Sequence, residues 1–583
     1  MELQRAIRGT GPADAKILFV DSFPRYDEVR EKQPLCGYAG KLFTALMQQA
    51  GLARRFVRFE SVIETMPPNG KLYYLDNYEQ ERWKLDLFER IKNLKPNVIV
   101  PLGELPLNVL TDKTSIDKWQ LSILPGVTGI KTIPMLCPRN ILKTYKDIPY
   151  LIHGLNRVKK HSAFAEMPVI DESGFLINST YSDTMRWLDD AMSTEYLSVD
   201  IETSKCQISC VGLGTSPTNV ISIPVFPDKW SEEEFHEIFK RIDRLLATKH
   251  IQKILQNGIY DISYFAKYGI TVNGFWHDTM LAQKFLYPEL RMGLDYVARI
   301  FTERPYWKDE GSDWRRVADW DKHYLYNCKD VAGTFDACFG QRRALAERNL
   351  QSLFDGYIMP LTDVVKEMCF RGLPVHDATL REFRSDVNAH IETLTGQLDV
   401  RTQSIIGKTI NPRSPKQVKE LLSSMKIALP VRQGKTTTDK KALKTLAIKY
   451  PKEDIFSILL DLSKYQKMHS SYLNFAYDDD GRMRYTLNVH GTETGRFSCY
   501  KDPFDKGVNA QTIPKGLRKV FKTTPNNTFI QVDLAQAEAR FVAWDAPEPK
   551  LIQMYIDGED IHRFVASRLF DIAPEDVTVG RIY

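Results

Sequence analysis

Thirty residues from Tyr196 to Val225, YLSVDIETSKCQISCVGLGTSPTNVISIPV, leave little choice of local structure. Apolar and β-branched residues crowd the stretch, and Gly, Ser, Pro and Asn punctuate it, so it reads as strand-rich. Helical segments follow through about residue 350, and strands followed by helices suggest an α+β unit. On the first strand Asp200 and Glu202 stand two residues apart, so both carboxylates leave the same face.

Two later segments add to that face. ILQNGIYDISYFAKYGI offers Asn257 and Asp261, and YNCKD offers Tyr326 and Asp330. Both pairs have helical i, i+4 spacing and can face one point. Four acidic groups converging there would repel one another unless divalent cations sat among them. Hard oxygen donors suit Mg²⁺ or Mn²⁺, and two such ions clamp the attacking and leaving oxygens of an in-line phosphoryl displacement. Tyr326 is placed to orient the attacking water. Taken singly, a DxE on a strand is more often surface charge, and a YxxxD on a helix is usually packing with a solvated tip; order and spacing carry the reading.

The rest of the chain sets the context. At 583 residues, 43% hydrophobic and 26% charged, the composition is that of a globular protein with several domains. The longest apolar run, NVIVPLGELPLNVL, is broken by Gly, Pro and Glu, and the amino terminus has no apolar signal core, so a cytoplasmic protein without a membrane span is expected. The eight cysteines include no CxxC pair, and Cys206 and Cys210 straddle a strand, so reduced thiols are expected. Between about residues 11 and 155 short apolar runs such as AKILFVDS and NVIVPLG alternate with amphipathic segments, which argues a parallel α/β sheet binding ligands at the carboxyl ends of its strands. VKKHSAFAEMP reads as a linker. From about Phe354 the chain is mostly helical until NTFIQVDLAQAEARFVAW, where a β-rich run passes into an Ala-rich helical one.

Charge is uneven. From Lys408 to Tyr472 there are fourteen Lys and Arg against five Asp and Glu, a local excess of nine in a chain whose net charge is +5. Lys440, Lys441 and Lys444 lie in this stretch, which suits a surface that tracks phosphates, although charge alone also fits a solvated helix face.

The order SVDIET, QNGIYD, YNCKD resembles the three motifs of the 3′→5′ proofreading exonuclease domain of DNA polymerases, a ribonuclease H-like fold, over about residues 170 to 345. The resemblance implies that Asp200, Glu202, Asp261 and Asp330 bind metal and that Tyr326 assists. Asp278 in HDTMLAQKFLY also fits that family, as a helix cap, a supporting group or a direct ligand. Downstream, GTETGRFSC, VNAQTIPKGLRKVF, TFIQVDLAQAEAR and DIHRF recur in the order of the family A DNA polymerases, the bacterial polymerase I and bacteriophage replicase type. By resemblance, Arg496, Gln511 and Arg518 contact nucleic acid and Asp533 binds catalytic magnesium. Glu538 would exclude a ribose 2′-hydroxyl, His562 approach the incoming triphosphate, and Arg581 open the fingers helix. NPRSPKQVKELL and SKYQKMHSSYL resemble the thumb, which makes the basic stretch a grip on duplex DNA. VHDA at Val375 to Ala378 imitates a palm motif in the wrong order.

GPADAKILFV, CGYAGKLF, NVIVPLG and IPMLCPRNILK resemble in order the motifs of the small uracil-DNA glycosylase superfamily over about residues 9 to 157. The first loop reads DSFPR, leaving Asp21 one position out with Ser22 in the water-activating place. Cys137-Pro138 replaces the family's His-Pro. These departures predict a retained DNA-binding or structural module that excises no uracil.

The expected architecture is therefore multidomain α/β and α+β: a parallel α/β glycosylase-like domain over 1–160, a ribonuclease H-like exonuclease domain over 165–350, and a partial family A polymerase domain, thumb and part of palm, over 351–583. The expected function is a DNA-directed DNA polymerase with a proofreading exonuclease in bacteriophage DNA replication. It would use two Mg²⁺ or Mn²⁺ per active site, a DNA primer-template, dNTPs and a complementary carboxy-terminal polypeptide supplying the fingers body and last catalytic motif. The alternatives are a stand-alone 3′→5′ exonuclease with a DNA-binding polymerase remnant, and a non-catalytic DNA-binding replication subunit.

Overall fold

The run ILFVD forms strand β1 (Ile17–Asp21), buried along its whole length. Parallel strands covered on both faces read as continuous apolar runs, and this one does. With β2 (Arg58–Ser61), β3 (Val98–Pro101), β4 (Leu124–Pro125) and β5 (Lys131–Thr132) it makes a five-stranded sheet of order β2-β1-β3-β5-β4. All pairings are parallel except β4 with β5. Helices Tyr38–Gln49, Asn77–Leu94 and Ile148–His161 occupy the amphipathic segments between and after the strands. The computed structural model describes residues 6–68, 77–225, 229–311, 319–432 and 434–577. The expected linker starts four residues too early, because VKKH completes the last helical turn. The residues after that turn are tied back to the sheet, since the buried Lys131 ammonium donates to the carbonyls of Phe164 and Glu166 at 2.8 and 2.9 Å.

A second sheet has order β11-β10-β7-β8-β9-β6, built from β6 (Phe175–Leu176), β7 (Tyr196–Ser204), β8 (Gln207–Gly214), β9 (Val220–Pro224), β10 (Gln252–Leu255) and β11 (Phe275–Asp278). β7, β8 and β9 form an antiparallel meander, and β10 and β11 add in parallel. The 28-residue helix Trp320–Glu347 lies across the meander. It comes close because β8 carries glycine under it: a Cβ on Gly212 would stand 2.4 Å from Asn327 Oδ1. Any side chain there would hold the helix away from β7.

From Met359 onward the chain is helical, with helices Met359–Arg371, Asp377–Ile406, Pro415–Ser424, Lys440–Lys449 and Ile455–Met468. The last four enclose a core of their own, including Leu398, Leu421, Leu446, Phe456 and Leu462. VHDA is structural here. Its backbone pairs with Gly481 and Val520, and Asp377 accepts from Tyr477 Oη at 2.6 Å.

Residues 1–521 form one compact unit and residues 522–583 a second. The second holds helices Ala537–Asp545, Pro549–Ile556 and Ile561–Phe570. The strand expected in TFIQVD is not formed: the run has no strand assignment and joins none of the described sheets. Phe529, Ile530, Val532 and Leu534 are left exposed. Among the described residues no helix is long and apolar enough to cross a membrane.

Candidate active site

Strand parity brings Asp200 and Glu202 to one face of β7, and the helix held close by Gly212 delivers Asp330 to them. One carboxylate oxygen from each of the three lies within 4.8 Å of the others. Asn327, one turn before Asp330, fixes the nearest acid: its Nδ2 donates to Asp200 Oδ2 at 2.8 Å while its Oδ1 accepts from Ser222 Oγ, also at 2.8 Å. The sequence offered Asn327 no signal beyond its place inside YNCKD. Burial, then the negative charges of Asp330, Asp261 and Glu202, push Asp200 well above the usual carboxylate range, with Lys308 opposing. A cluster so short of positive charge, with hard oxygens at mutual reach, fits a divalent cation.

Asp261 sits beside this group. It is 4% exposed and its Oδ1 accepts the backbone N–H of Ile201 at 3.0 Å. The described geometry therefore brings together three of the four predicted acids. Asn257 takes a left-handed φ of 59° as the residue before helix Gly258–Lys267. Asp278 proves to be a double cap: its carboxylate accepts from Met280 and Leu281 at the start of helix Thr279–Leu286, and from Asn257 and Gly258 at the start of the other.

Tyr326 lies one helical turn before Asp330. Burial, then Asp330 and Glu202, hold its phenol far above the ordinary tyrosine range, so it acts as a neutral hydroxyl. Lys308 Nζ donates to Tyr326 Oη at 2.9 Å and to Asp330 Oδ2 at 2.5 Å. Trp307 Nε1 donates to Asp330 Oδ1 at 2.6 Å. Both residues come from an irregular segment with no periodicity to mark it.

At the carboxyl ends of β1 and β3, where ligands of a parallel sheet would bind, the arrangement differs. Arg139 donates one nitrogen to Asp21 Oδ2 at 2.5 Å and another to Glu28 at 2.7 and 2.9 Å. Glu28 also accepts from the backbone of Arg25 and Leu35, and Asp21 from that of Ser22. Burial raises the Cys137 thiol, so it is a poor anion partner. The acids of this site are already satisfied by protein donors.

The remaining predicted residues are exposed. Lys440, Lys441 and Lys444 occupy the first turns of the Lys440–Lys449 helix. Arg496 is in the turn between the paired strands Thr486–Asn488 and Ser498–Tyr500, and Gln511 and Arg518 lie on short 3₁₀ turns. In the second unit Asp533 is in the exposed run, Glu538 in the first turn of Ala537–Asp545, and His562 at the start of Ile561–Phe570, where Asp560 caps its N–H. Arg581 lies outside the described residues.

Clustered acids on a sheet crossed by one long helix make a candidate metal site, and family comparisons say which kind of domain it lies in. Residues 177–338 match the 3′-5′ exonuclease family, residues 378–581 DNA polymerase family A, and residues 8–160 the uracil DNA glycosylase superfamily. Along the chain the matches therefore run in the order glycosylase superfamily, 3′-5′ exonuclease, DNA polymerase family A. The chain is similar to the DNA polymerase of Bacillus phage SP01, 23% identical over 98% of this chain and 72% of that protein. To DNA polymerase I of Rhizobium leguminosarum it is 25% identical over 78% of this chain and 47% of that protein. The chain spans about half the length of that bacterial relative. In fold it is similar to the POL domain of Pol1 from M. smegmatis, solved in complex with DNA primer-template and dNTP, with a TM-score of 0.53, 22% identity and coverage of 70% of this chain and 69% of that one.

Proposed function

We propose that the chain works in DNA replication as a DNA-directed DNA polymerase carrying a 3′→5′ proofreading exonuclease, in the cytoplasm of a bacterium hosting a phage. The observation that carries the exonuclease reading is the convergence of Asp200, Glu202 and Asp330 beside Tyr326. Asp200, Glu202, Asp261 and Asp330 would hold Mg²⁺ or Mn²⁺, Asp261 also tying itself to β7 through the Ile201 N–H. Two such ions, when bound, supply the positive charge that stabilises the developing phosphorane and lowers the pKa of the attacking water. The neutral Tyr326 hydroxyl orients that water. A new P–O bond forms from water, the bond to the penultimate 3′ oxygen breaks, and a nucleoside monophosphate leaves.

For synthesis, Asp533 would hold metal, Glu538 would gate the sugar, and His562 and Arg581 would meet the triphosphate. Arg496, Gln511, Arg518, Lys440, Lys441 and Lys444 would grip primer-template. The exposed apolar side chains of Phe529, Ile530, Val532, Leu534, Phe541 and Trp544 support a complementary carboxy-terminal polypeptide as the partner that covers them. The domain limits proposed for this division are 1–160, 165–350 and 351–583. The two alternative readings, a lone exonuclease and a non-catalytic subunit, have no observation in their favour.

The deciding experiment is digestion of a 3′-labelled single-stranded oligonucleotide with Mg²⁺ or Mn²⁺. Asp200→Ala with Glu202→Ala is expected to lower the rate by about a thousandfold or more, since several electrostatic groups go together. Undiminished digestion by that variant, free of host nucleases, would sink the assignment.

A further inference from the structure

The segment from Thr302 to Glu310, TERPYWKDE, crosses from the amino-terminal domain to the carboxylate cluster. Its first eight residues belong to no helix or strand. Its register is set by side chains instead, and many of these belong to the amino-terminal domain. Arg157 donates to the carbonyl of Thr302, and Lys160 and His161 engage Glu303. Ser122 Oγ accepts the backbone N–H of Tyr306 at 3.3 Å, and the rings of Trp119 and Tyr306 meet edge to face at 5.4 Å. Lys118 reaches Asp309 at 3.1 Å. Just before the segment, Arg299, 1% exposed, donates to the carbonyls of Asp117 and Lys118 at 2.6 and 2.7 Å.

Held between these clamps, Trp307 and Lys308 reach the cluster. Trp307 is 4% exposed and seats over Gly333, where a Cβ would meet its ring at 2.9 Å. It takes one oxygen of Asp330, and Lys308 takes the other together with the Tyr326 hydroxyl. One strap thus fixes both groups that the long helix contributes.

We propose that the amino-terminal domain, whatever its ancestral chemistry, serves here as the mount of the exonuclease site: it holds the 302–310 strap so that the positioning residues Trp307 and Lys308 orient Asp330 and Tyr326. The proposal rests on the exonuclease reading above. It gives the glycosylase-like domain a function that needs no base-excision pocket. It also makes the catalytic rate depend on contacts far from any nucleotide. Positioning errors of about 1 Å cost up to roughly a hundredfold in rate, so a loosened strap is visible in turnover.

The test uses the full chain throughout. Lys308→Met is expected to lower kcat on a single-stranded oligonucleotide by about thirtyfold with KM within about twofold, and Lys308→Arg to recover most of that loss. Trp119→Ala is expected to lower kcat by about fivefold, and the exposed change Lys118→Glu by about threefold, with Lys118→Glu/Asp309→Lys recovering toward wild type. In the Lys308→Met background neither docking change should lower kcat further. As a readout independent of turnover, the ¹⁹F resonance of 5-fluorotryptophan at Trp307, assigned through Trp307→Phe, should shift in Lys118→Glu and return in the charge swap. Docking changes whose effects multiply with Lys308→Met, or a Trp307 resonance that ignores Lys118→Glu, overturn the proposal. A wild-type chain that digests no DNA overturns the exonuclease reading and this catalytic role with it, whereas an active wild type with multiplicative variants overturns this inference alone.

Discussion

Two clusters of acids stand at the five-stranded and six-stranded sheets of this molecule, and they have opposite characters. At the end of β1, Asp21 and Glu28 share one guanidinium and three backbone N–H groups, so nearly every lone pair has a donor. At β7, Asp200 and Glu202 converge with the helix-borne Asp330, which pairs with Lys308. The same residue types yield a closed, buried structural joint in one place and a partly open, acid-rich site in the other. The lesson is that acid clusters should be read by their donors: a cluster satisfied from within has no use for a ligand, and one left short of positive charge is built to receive it.

The comparison breaks most visibly at Arg139. Arg139→Met leaves two acids unpaired at the end of β1 and is expected to destabilise the chain by about 3–5 kcal/mol in urea unfolding. A change under about 1 kcal/mol would show that the joint is not closed. Neither the wild type nor this variant should release uracil from DNA. Abasic-site formation that depends on Asp21 or Ser22 would return the cluster to catalysis.

A smaller effect probes the seam between the two sheets, where His153 meets Tyr287 Oη at 2.8 Å. Burial, then Arg157 and Arg348, lower its pKa to about 4. The unfolded histidine binds a proton from near its ordinary 6.5, and the folded one resists until about 4, so the unfolded state holds more protons between these values. Stability from this residue is present above about pH 6.5 and is lost as pH falls toward 4, by up to about 3 kcal/mol. His153→Gln should flatten the melting temperature across that window; an unchanged pH dependence would remove His153 from the account.

The smallest effect has the opposite sign to the first. Asp200→Asn relieves a like-charge cluster, so in EDTA it is expected to leave the protein unchanged or more stable by about 1 kcal/mol while abolishing digestion. Clear destabilisation would make β7 a structural joint like the first.

Periodicity decides how much of this was legible in the sequence. Asp200 and Glu202 could be read because parity on a strand is rigid, and Tyr326 and Asp330 because a helical turn is. Asp261 met the spacing rule too, but spacing could not show that one of its oxygens also accepts the Ile201 N–H, since a buried backbone donor needs a partner and local spacing cannot say which acid supplies it. Lys308 and Trp307 were missed because they ride on an irregular strap whose register is fixed by residues nearly two hundred positions earlier, as with Lys118 and Asp309. Arg139 stood out only as part of CPRN, with nothing to show that Asp21 and Glu28 would converge on it. The run 529–534 has strand composition but joins none of the described sheets, and composition alone cannot make a ladder.

Gly212 touches no nucleotide and bears no functional group, yet it sets how near the Trp320–Glu347 helix comes to β7. Adding a single carbon there would move Asn327, and through it Asp200, without altering any group that does chemistry. In a saturation screen this position would therefore score alongside the acids, and over evolutionary time it would be held as tightly as they are. A glycine can be part of an enzyme's catalytic inheritance by virtue of the space it leaves.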